Sequence, residues 1–314
     1  TNIEIFVGRK ALIDCSAIPV DWVMSAIVGI AGLEPSIAAV KQGTTVALAN
    51  KECLVSAGDL FMSEVRNNSS LLLPVDSEHN GIFQILNLDS YKEIEKIILT
   101  ASGGPFLNLD KEEFINISPN QALAHPNWSM GRKISIDSST MMNKALELIE
   151  ACVYFSLPPS AVRIVIHPQS IVHSLVEFED KSVLAQMAVA DMRVPIANAL
   201  AYPERIASGA ATLDLAEIGS LDFLTPDMER FPCLNIARTV ASAGGNGPIV
   251  LNAANEVAVD EFCAGKIRFT DIVPIVVETI ERMPFADISG IEQVLEADGK
   301  ARVLAKEVSS RHEL

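Results

Sequence analysis

Basic residues are scarce in this sequence of 314 residues. Lysine and arginine total 24 against 40 aspartates and glutamates, which gives a formal charge of −16. A protein of this charge repels the phosphates of nucleic acids and the surfaces of anionic membranes, so we expect neither as a partner. An anionic small substrate would need a local exception, made by a few cations or by helix N-termini.

Long apolar runs and a secretory signal are also missing. The densest apolar stretch, MSAIVGIAGL at 24–33, is too short to cross a bilayer and is interrupted by two glycines. The first residues, TNIEIFVGRK, lack a basic segment followed by an apolar core. Apolar residues still make up 49% of the chain, which is typical of a globular protein with a large core.

Cysteine pairs at metal-binding spacing are absent. The five cysteines are Cys15, Cys53, Cys152, Cys233 and Cys263, and none of them forms a CxxC motif. Their odd number and wide separation indicate neither a disulfide framework nor a zinc site. We expect them to be buried thiols of a protein from a reducing compartment.

The first hundred residues alternate between strand-like and helix-like segments. The strand-like segments are SAIVGI at 25–30, TTVALAN at 44–50 and SLLLPV at 70–75. Between them lie a short helix at 34–43, with Pro35 near its start and Gly43 past its end, and an amphipathic helix at 51–68. Strand–helix–strand units of this length predict an α/β fold with a parallel sheet, whose strand ends collect ligands.

The rest of the chain divides into three parts. In the first part, the sequence predicts a strand at 95–106 and a mobile loop at 118–133. It then predicts a strand (ISI) followed by a helix at 134–155, and three strands at 162–189. The last two of these strands would form a hairpin at EDKS. A stretch rich in Gly, Ala, Leu and Pro at 203–227 is typical of a linker, and residues 228–314 predict only helices, as in a helical bundle.

Two polar segments follow predicted strands. The segment LLLPVDSEHN at 71–80 leaves a buried run and at once presents Asp76, Ser77, Glu78, His79 and Asn80. The helix after ISI carries Thr140, Asn143, Lys144, Glu147 and Glu150 on one face. Each segment also has a purely structural explanation. Asp76 or Ser77 would cap the helix at 78–86, and Lys144 would pair with Glu147 on a solvated surface.

Together, the two segments offer three carboxylates at neighbouring strand ends, from Asp76, Glu78 and Glu147. Carboxylate oxygens without a nearby His or Cys pair suit Mg²⁺ or Mn²⁺, which keep water or substrate oxygens in their remaining positions. We therefore predict that these three residues form a divalent metal site.

Two other segments contain groups that could bind a phosphate. TASGGPF at 100–106 offers Ser102 and two glycines after a strand. IDSSTMMNK places Ser138 at a predicted helix start, with Lys144 as a point charge. Hydroxyl groups and exposed N–H groups at such positions bind phosphate.

A lid is predicted between these two segments. AHPNWSMG at 124–131 combines His125, Trp128 and Met130, which would cover a substrate and exclude water. Packing in a core is the alternative for Trp128. Of the two histidines in the strand pair at 162–178, His173 lies nearer a strand end than His167 and is the better candidate for the site.

Six motifs follow one another along the chain. They are LANKE (48–52), PVDSEHN (74–80), SGGPF (102–106), HPNWSMGRKISIDSSTMMNK (125–144), IHPQSIVHS (166–174) and LNAANE (251–256). With these motifs the sequence closely resembles the 1-deoxy-D-xylulose 5-phosphate reductoisomerases over essentially its whole length. The resemblance implies an oxidoreductase and isomerase of the non-mevalonate route to isoprenoids. The enzyme would rearrange its phosphosugar substrate and reduce the product with NADPH, in the presence of Mg²⁺ or Mn²⁺, to 2-C-methyl-D-erythritol 4-phosphate.

The resemblance also implies roles for the residues at matching positions. It assigns the metal to Asp76, Glu78 and Glu147, and catalytic roles to Glu78, Lys144, His125 and Trp128. It assigns substrate contacts to Ser77, Ser102, His125, Ser138, Asn143, Lys144 and Glu147, and cofactor contacts to Asn50, Lys51, Glu52, Gly131 and Met192. Met130 matches the lid, and His173 and Met192 match positions beside the site.

The domain organisation follows from the same resemblance. Residues 1–76 would form a partial Rossmann-type NADPH-binding domain, and 77–202 an α/β catalytic and connective domain with the lid. Residues 203–227 would be a linker, and 228–314 a C-terminal α-helical domain. The family is usually a homodimer, and we expect a location in the bacterial cytoplasm or the plastid stroma.

The glycine-rich strand–loop–helix with which the family opens, and which grips the dinucleotide pyrophosphate, has no counterpart in this sequence. We therefore expect an N-terminally truncated chain whose first βαβ unit is absent. An alternative function is a catalytically impaired fragment that only binds metal and phosphosugar. A metal-dependent phosphosugar lyase or isomerase that needs no nicotinamide would use the same carboxylates. A semialdehyde dehydrogenase would need a nucleophilic cysteine, and neither Cys53 nor Cys152 lies in such a motif.

Overall fold

The first part of the molecule is a three-stranded parallel sheet of order β1-β2-β3, flanked by helices. The computed structural model describes residues 4–86, 94–128 and 130–314. The strands are β1 (Trp22–Ser25), β2 (Thr45–Leu48) and β3 (Leu72–Pro74), and the helices are α1 (Arg9–Ser16), α2 (Leu33–Val40), α3 (Lys51–Asn67) and α4 (Ser77–Ile85). The predicted parallel sheet is thus confirmed.

The segment 25–30 is a loop, although its apolar residues predict a strand. β1 ends at Ser25, which pairs with Leu48, the last residue of β2. Gly29 then adopts a φ of +73°, a left-handed conformation that ends an extended strand. Ile27 and Val28 are exposed, so the apolar character of this run does not reflect burial in the sheet.

The loop after β1 is held against the loop after β2 by Asn50. This residue is the N-cap of α3, and its Oδ1 accepts a hydrogen bond from the backbone N–H of Cys53 at 3.3 Å. Its Nδ2 donates to the carbonyl of Gly29 at 3.0 Å. Such a cap stabilises a helix by about 1 kcal/mol, and the start of α3 is therefore fixed at the end of the sheet.

A second, mixed sheet of order β5-β4-β6-β7 follows. Its strands are β4 (Ile94–Ala101), β5 (Val162–Ile166), β6 (Val172–Phe178) and β7 (Val183–Met187). β4 is parallel to β5 and antiparallel to β6, and β6 and β7 form an antiparallel pair around the turn at 179–182. The three predicted strands and their hairpin are confirmed.

Between β4 and β5 the structure differs from the prediction. The helices there are α5 (Pro119–Ala122), α6 (Arg132–Ser139) and α7 (Met142–Tyr154). The segment ISI, predicted as a strand, lies inside α6. Only Ile136 of its two isoleucines is fully buried, and Ser135 and Ser139 donate to the carbonyls four residues earlier at 3.0 and 2.9 Å. Both features belong to a helix with one packed face, and they outweigh the strand preference of isoleucine.

The last third of the chain is helical, as predicted for 228–314. After α8 (Arg193–Ala201) and the short α9 (Leu215–Ile218), the helices are α10 (Cys233–Ala243), α11 (Gly247–Cys263), α12 (Ile272–Arg282) and α13 (Ile291–Ser309). α11 is central, because it packs against α12, α13 and α3. The stretch 203–227 is mostly irregular and contributes one bridge, Ile166 to Leu224, to the second sheet. The domain boundaries themselves stay a prediction.

All five cysteines are free thiols. Cys53 and Cys233 are buried, as predicted, but Cys152 and Cys263 are only half-buried and Cys15 is exposed. The prediction is wrong for Cys15 because it lies on α1, a helix without buried residues. None of the helices within the described ranges combines the length and apolar character that a membrane span requires.

Candidate active site

The ends of β2 and β3 and one face of α7 surround a cavity of about 320 Å³. Asp76 follows β3 by two residues, Glu78 lies in the first turn of α4, and Glu147 lies in the middle of α7. One carboxylate oxygen from each of these residues lies within 4.8 Å of the others. The structure therefore brings together the three residues predicted to share a cation, and their role as ligands stays a prediction.

Asp76 does not cap α4, so the structural explanation of this segment is wrong. Asp76 occupies the N-cap position, but its side chain makes no capping hydrogen bond. Its Oδ2 instead lies 2.5 Å from Nζ of Lys51. Ser77, the first residue of the helix, donates from Oγ to Oε2 of Glu78 at 2.7 Å. Both side chains are thus directed to the carboxylate cluster.

Two lysines lie among the carboxylates. Lys51 Nζ is 3.0 Å from Glu147 Oε1 and 2.7 Å from Asn143 Oδ1. Lys144 Nζ is 2.5 Å from Glu78 Oε1 and also contacts Glu147. Lys144 and Glu147 are only 3% and 1% exposed. The alternative of a solvated lysine–glutamate pair is therefore wrong, because this face of α7 is turned inward against α3.

Thr140 does not belong to this face. It precedes α7 as the C-cap residue of α6, and its hydroxyl donates to the carbonyl of Asp137 at 3.2 Å. Met141, between the two helices, has a φ of +62°, which turns the chain before α7 begins. The predicted helical face therefore starts at Asn143 instead of Thr140.

His79 and Glu150 form a buried pair behind the three carboxylates. His79 Nε2 donates to the backbone carbonyl of Glu147 at 3.0 Å, so its Nδ1 faces Glu150 Oε2 at 3.3 Å and Asp76 Oδ1 at 3.6 Å. Burial lowers the pKa of His79, but the carboxylates of Glu150 and Asp76 raise it to about 9. Burial raises the pKa of Glu150 to about 7. The pair therefore holds a proton at neutral pH.

Charge coupling sets the protonation of the cluster. Burial and the neighbouring charge of Glu147 raise the pKa of Glu78 to about 7, against the opposing effect of Lys144. Burial also disfavours the charged form of Asp76, but the ammonium group of Lys51 holds the pKa of this carboxyl well below its usual range. In both lysines the surrounding carboxylates outweigh desolvation and raise the pKa. Both ammonium groups are therefore charged.

The donor set fits a divalent cation of the Mg²⁺ or Mn²⁺ type. Its three donors are carboxylate oxygens, the hard ligands that these ions prefer. When Glu78 is ionised, the three carboxylates outnumber the two ammonium groups that contact them, so the ionised cluster attracts a cation. The cavity beside it offers room for substrate oxygens in the remaining coordination positions.

Ser102 and His125 also line this cavity. His125 Nδ1 accepts hydrogen bonds from the backbone N–H groups of Asn127 and Trp128, at 3.1 and 3.0 Å. The ring proton therefore lies on Nε2, which donates to Ser102 Oγ at 3.0 Å. Burial lowers the pKa of His125, in agreement with a neutral ring. Ser102 Oγ also accepts from the N–H of Gly104 at 3.1 Å, which leaves its own proton for a ligand.

Ser138 lies beside Ser102 because the glycine turn after β4 packs against the end of α6. Gly104 has a φ of +69°, and a Cβ atom there would lie 2.6 Å from the carbonyl oxygen of Ser138. Ser138 lies in the last turn of α6, so its predicted place at a helix start is wrong. Lys144 contacts Glu78 and Glu147, and its role as the point charge for a phosphate stays a prediction.

The predicted lid closes one side of the cavity. Trp128 lies against His173, with 6.1 Å between the ring centroids, and both residues line the cavity with Met130. Asn127 Nδ2 donates to Ser170 Oγ at 2.8 Å, which ties the lid segment to the loop before β6. His167 lies elsewhere, with Nδ1 donating to the carbonyl of Asp222 at 2.8 Å. His173 lines the cavity and His167 does not, in agreement with the choice of His173 as the better candidate for the site.

A second cavity of about 250 Å³ adjoins the first. The two cavities share several lining residues, among them Lys51, Gly131 and Asn143. Four of the five residues predicted to contact a cofactor line this second cavity, and these are Asn50, Lys51, Glu52 and Gly131. Met192 lines the first cavity instead.

Sequence reasoning missed two features of the site. It placed Lys51 only beside the cofactor, whereas this lysine also contacts Asp76 and Glu147. It gave no role to the pair of His79 and Glu150. A signal for the pair was present, since both residues lie one helical turn from a candidate metal ligand.

The fold and these adjoining cavities define an α/β enzyme of the oxidoreductase and isomerase class. A family model described as 1-deoxy-D-xylulose 5-phosphate reductoisomerase matches residues 1–58, and one for the C-terminal domain of that enzyme matches 72–155. A third, described as DXP reductoisomerase C-terminal domain, matches 187–304. The chain belongs to the 1-deoxy-D-xylulose 5-phosphate reductoisomerase family.

Individual relatives agree with this membership. The 1-deoxy-D-xylulose 5-phosphate reductoisomerase of Pseudomonas syringae pv. syringae (strain B728a) is 55% identical, over 98% of this chain and 80% of the relative. That of Pseudomonas putida (strain KT2440 among its designations) is 53% identical, over 98% of this chain and 79% of the relative.

Solved structures show the same fold. The reductoisomerase from Zymomonas mobilis in complex with NADPH is 46% identical, with a TM-score of 0.91 over 96% of this chain and 78% of that one. A DOX-P reductoisomerase in complex with NADPH, fosmidomycin and magnesium is also 46% identical, with a TM-score of 0.91 over 96% of this chain and 79% of that one.

Proposed function

We propose that this protein converts 1-deoxy-D-xylulose 5-phosphate to 2-C-methyl-D-erythritol 4-phosphate, with one NADPH and one proton consumed per product. The observation that carries the proposal is the convergence of Asp76, Glu78 and Glu147 within 4.8 Å in the wall of a cavity. Ser102 and His125, which are bonded to each other and not to the carboxylates, line the same cavity. A phosphosugar has the matching polarity, with hydroxyl and carbonyl oxygens at one end and a phosphate at the other.

At the acidic end, Asp76, Glu78 and Glu147 would hold Mg²⁺ or Mn²⁺, which supplies Lewis-acid polarisation of substrate oxygens. Ser77 and Asn143 lie close enough to the carboxylates to orient substrate hydroxyl groups. Lys144 is charged and buried, so it stabilises negative charge that develops on a substrate oxygen during the rearrangement. Glu78 Oε1 lies 2.5 Å from Nζ of Lys144, so the two groups would relay a proton to or from a substrate oxygen.

Away from the carboxylates, Ser102, Ser138 and His125 form the site for the phosphate. The hydroxyl groups of Ser102 and Ser138 donate hydrogen bonds to it, and His125, whose Nε2 donates to Ser102 Oγ, orients the hydroxyl group of Ser102. This contact is remote from the reacting carbons, so its binding energy serves to position the substrate. Trp128 and Met130 then cover the cavity and exclude water while the aldehyde formed by the rearrangement awaits reduction.

The second cavity is the proposed place of the nicotinamide end of NADPH, which supplies the hydride. Asn50 and Glu52 offer an amide and a carboxylate for ribose hydroxyl groups, and Gly131 allows close approach of the lid backbone. Lys51 lies in the wall that both cavities share, so it faces the point where cofactor and substrate meet. Met192 forms part of the substrate cavity wall.

The proposal is tested by following NADPH absorbance with 1-deoxy-D-xylulose 5-phosphate before and after removal of metal with a chelator. We expect stoichiometric NADPH oxidation, loss of turnover on chelation and recovery with Mn²⁺. Loss of the phosphosugar without NADPH oxidation would instead indicate a lyase or isomerase. Binding of Mn²⁺ and fosmidomycin without turnover would indicate the non-catalytic remnant, an alternative that the enzyme relatives do not support.

We also propose a homodimer that forms through the edge of the second sheet. β7 is the outer strand of this sheet, and its residues Val183 and Leu184 are 47% and 50% exposed. An exposed edge strand with apolar side chains is a pairing site unless another element covers it. A second copy of the chain would cover this edge. The cytoplasmic or plastid location stays a prediction.

A further inference from the structure

The motif LNAANE at 251–256 lies on α11, away from the substrate cavity, and has no role in the site described above. Asn255 from this motif is completely buried. Its Nδ2 donates to Oδ1 of Asp137 at 2.8 Å, and Asp137 is 1% exposed. The helical C-terminal part of the chain thus makes a buried polar contact with α6, the helix that follows the lid.

The contact continues to the second cavity. Asp137 Oδ2 lies 2.9 Å from Nζ of Lys133, and the same Nζ lies 2.9 Å from Oε1 of Glu52 at the start of α3. Glu52, Lys133 and Asp137 line the second cavity, whereas Asn255 does not. A chain of four polar groups therefore runs from α11 through α6 to α3 and ends at a carboxylate that faces the cavity.

We propose that Asn255 is a positioning residue for the cofactor, acting through Asp137 and Lys133 on the carboxylate of Glu52. The inference rests on the proposed function, in which Glu52 contacts the ribose of NADPH. Lys133 lies between two carboxylates. If Asp137 is held in place by Asn255, Lys133 stays between them and Glu52 keeps its orientation. Without the hydrogen bond from Asn255, the side chain of Asp137 can move, and Lys133 and Glu52 can then adopt other side-chain conformations. A smaller fraction of the molecules then holds Glu52 in the conformation that binds NADPH.

The hydrogen bonding of Asn255 supports this role. Its Oδ1 is buried and has no hydrogen-bond partner among the described residues. A buried unsatisfied amide oxygen reduces stability, and a leucine of similar size would avoid that loss. The group of Asn255 that supports the proposed role is therefore its amide N–H, which donates to Asp137.

The test compares Asn255→Leu with Asn252→Leu. Asn252 lies almost one turn earlier on the same helix and is also completely buried. Its Oδ1 is likewise without a partner among the described residues, and its Nδ2 donates at 3.1 Å to Glu256, which does not line the second cavity. The two substitutions therefore make the same chemical change in the same kind of environment. Asn255→Leu removes the direct contact with Asp137, whereas Asn252→Leu keeps that contact and removes a donor from Glu256, whose charge acts on Lys133 without a direct ion pair.

NADPH binding is measured from the rise in nicotinamide fluorescence, and KM and kcat are measured by steady-state kinetics. For Asn255→Leu we expect the Kd and KM for NADPH to rise about fivefold, as for the loss of one hydrogen bond, with kcat, Mn²⁺ affinity and Tm retained. Asn252→Leu should leave all of these values unchanged. Equal NADPH affinity in the two variants, whether retained or weakened, would overturn the inference.

Glu52→Gln separates the inference from the proposed function. If this variant binds NADPH as tightly as the unaltered chain, Glu52 does not contact the cofactor and the proposed function of this carboxylate fails. If Glu52→Gln weakens NADPH binding and Asn255→Leu does not, the cofactor role of Glu52 survives and only the positioning role of Asn255 is overturned.

Discussion

The ammonium group of Lys51 and the carboxylate of Glu147 lie 3.0 Å apart, although 96 residues separate them along the chain. Lys51 is the first residue of α3, directly after the end of the first sheet, and Glu147 lies on α7, which packs along α3. Their contact joins the cofactor side of the molecule to the acidic cluster. A change at either residue therefore affects both the cation site and the wall between the two cavities.

Replacement of Glu147 by Gln should weaken Mn²⁺ binding by at least about tenfold, and turnover should fall with it. The amide keeps the shape of the side chain but removes one of three anionic ligands, and even changes outside the ligand set typically cost 10- to 100-fold in metal affinity. Mn²⁺ affinity is measured by electron paramagnetic resonance of the free ion.

Glu150→Gln is the matched control for this prediction. Glu150 lies on the same helix, is equally buried, and belongs to a different cluster with Asp76 and His79. We expect a smaller loss of Mn²⁺ affinity than in Glu147→Gln. A greater loss in Glu150→Gln would move the cation to the other cluster, and unchanged affinity in Glu147→Gln would refute the ligand assignment.

The affinity for Mn²⁺ should depend on pH through Glu78. The pKa of this carboxyl is raised to about 7, and only the ionised form binds a cation, so the proton competes with the metal below that pH. We expect the apparent affinity to fall by up to about tenfold per pH unit below pH 7 and to level off above it. Titrations at pH 6, 7 and 8 measure this slope, and Glu78→Gln should flatten it.

The raised pKa of Glu78 also affects the stability of the metal-free protein. Because the pKa of Glu78 in the folded protein lies above its ordinary value of 4.5, the fold binds this proton more tightly than the unfolded chain. The contribution of this proton to the free energy of unfolding is complete below pH 4.5 and is lost as the pH rises through 7. Glu78→Gln should therefore raise the Tm of the metal-free protein at pH 8. A lower Tm would show that the contact with Lys144 outweighs the burial of the charge.

The parts of the site that follow strand ends were predictable from the sequence. The segments after β2 and β3 of the first sheet and after β4 of the second each contain a polar motif, and ligands of α/β proteins collect at such strand ends. Asp76, Glu78 and Ser102 were found in this way. The resemblance to a family added the cofactor roles of Glu52 and Gly131, which no pattern of residues had assigned.

The arrangement between α6 and α7 was not predictable in the same way. ISI has the composition of a strand, and its helical conformation depends on Ile136 packing in the core and on serine hydroxyl groups bonded to carbonyls within the helix. These are contacts that local sequence does not specify. The error moved Ser138 from the end of a helix to its start.

Ser102→Ala should raise the KM for 1-deoxy-D-xylulose 5-phosphate by about tenfold or more, with a smaller effect on kcat. A hydrogen bond to a charged group contributes about 1.5–3 kcal/mol, and 1.4 kcal/mol is a factor of ten. Steady-state kinetics at saturating NADPH measure the change. Ser139→Ala is the control, because Ser139 Oγ donates to the carbonyls of Ala122 and Ser135 and does not line the cavity. Similar KM values in both variants would contradict the phosphate role.

The lid can be observed directly because the chain has only two tryptophans, Trp22 and Trp128. Trp22→Phe removes one indole, whose Nε1 donates to the carbonyl of Ala199 at 3.1 Å, at a cost of about 1 kcal/mol in stability. Trp128 then reports on the lid. We expect its emission to shift to shorter wavelength when Mn²⁺ and fosmidomycin are added, because the ring loses contact with water. Unchanged emission with bound fosmidomycin would contradict closure of the lid over the ligand.

Leu184→Glu should convert the proposed dimer to a monomer. Leu184 lies on the outer strand β7 and is 50% exposed, so a charge there does not disturb the core but would be buried without a partner in a dimer interface. Sedimentation velocity measures the mass of the particle, and the Tm shows whether the fold is retained. Val303→Glu, on α13 and at a side chain that is 71% exposed, is the control for a charge added away from this edge. A dimer that survives in Leu184→Glu would place the interface on another face of the molecule.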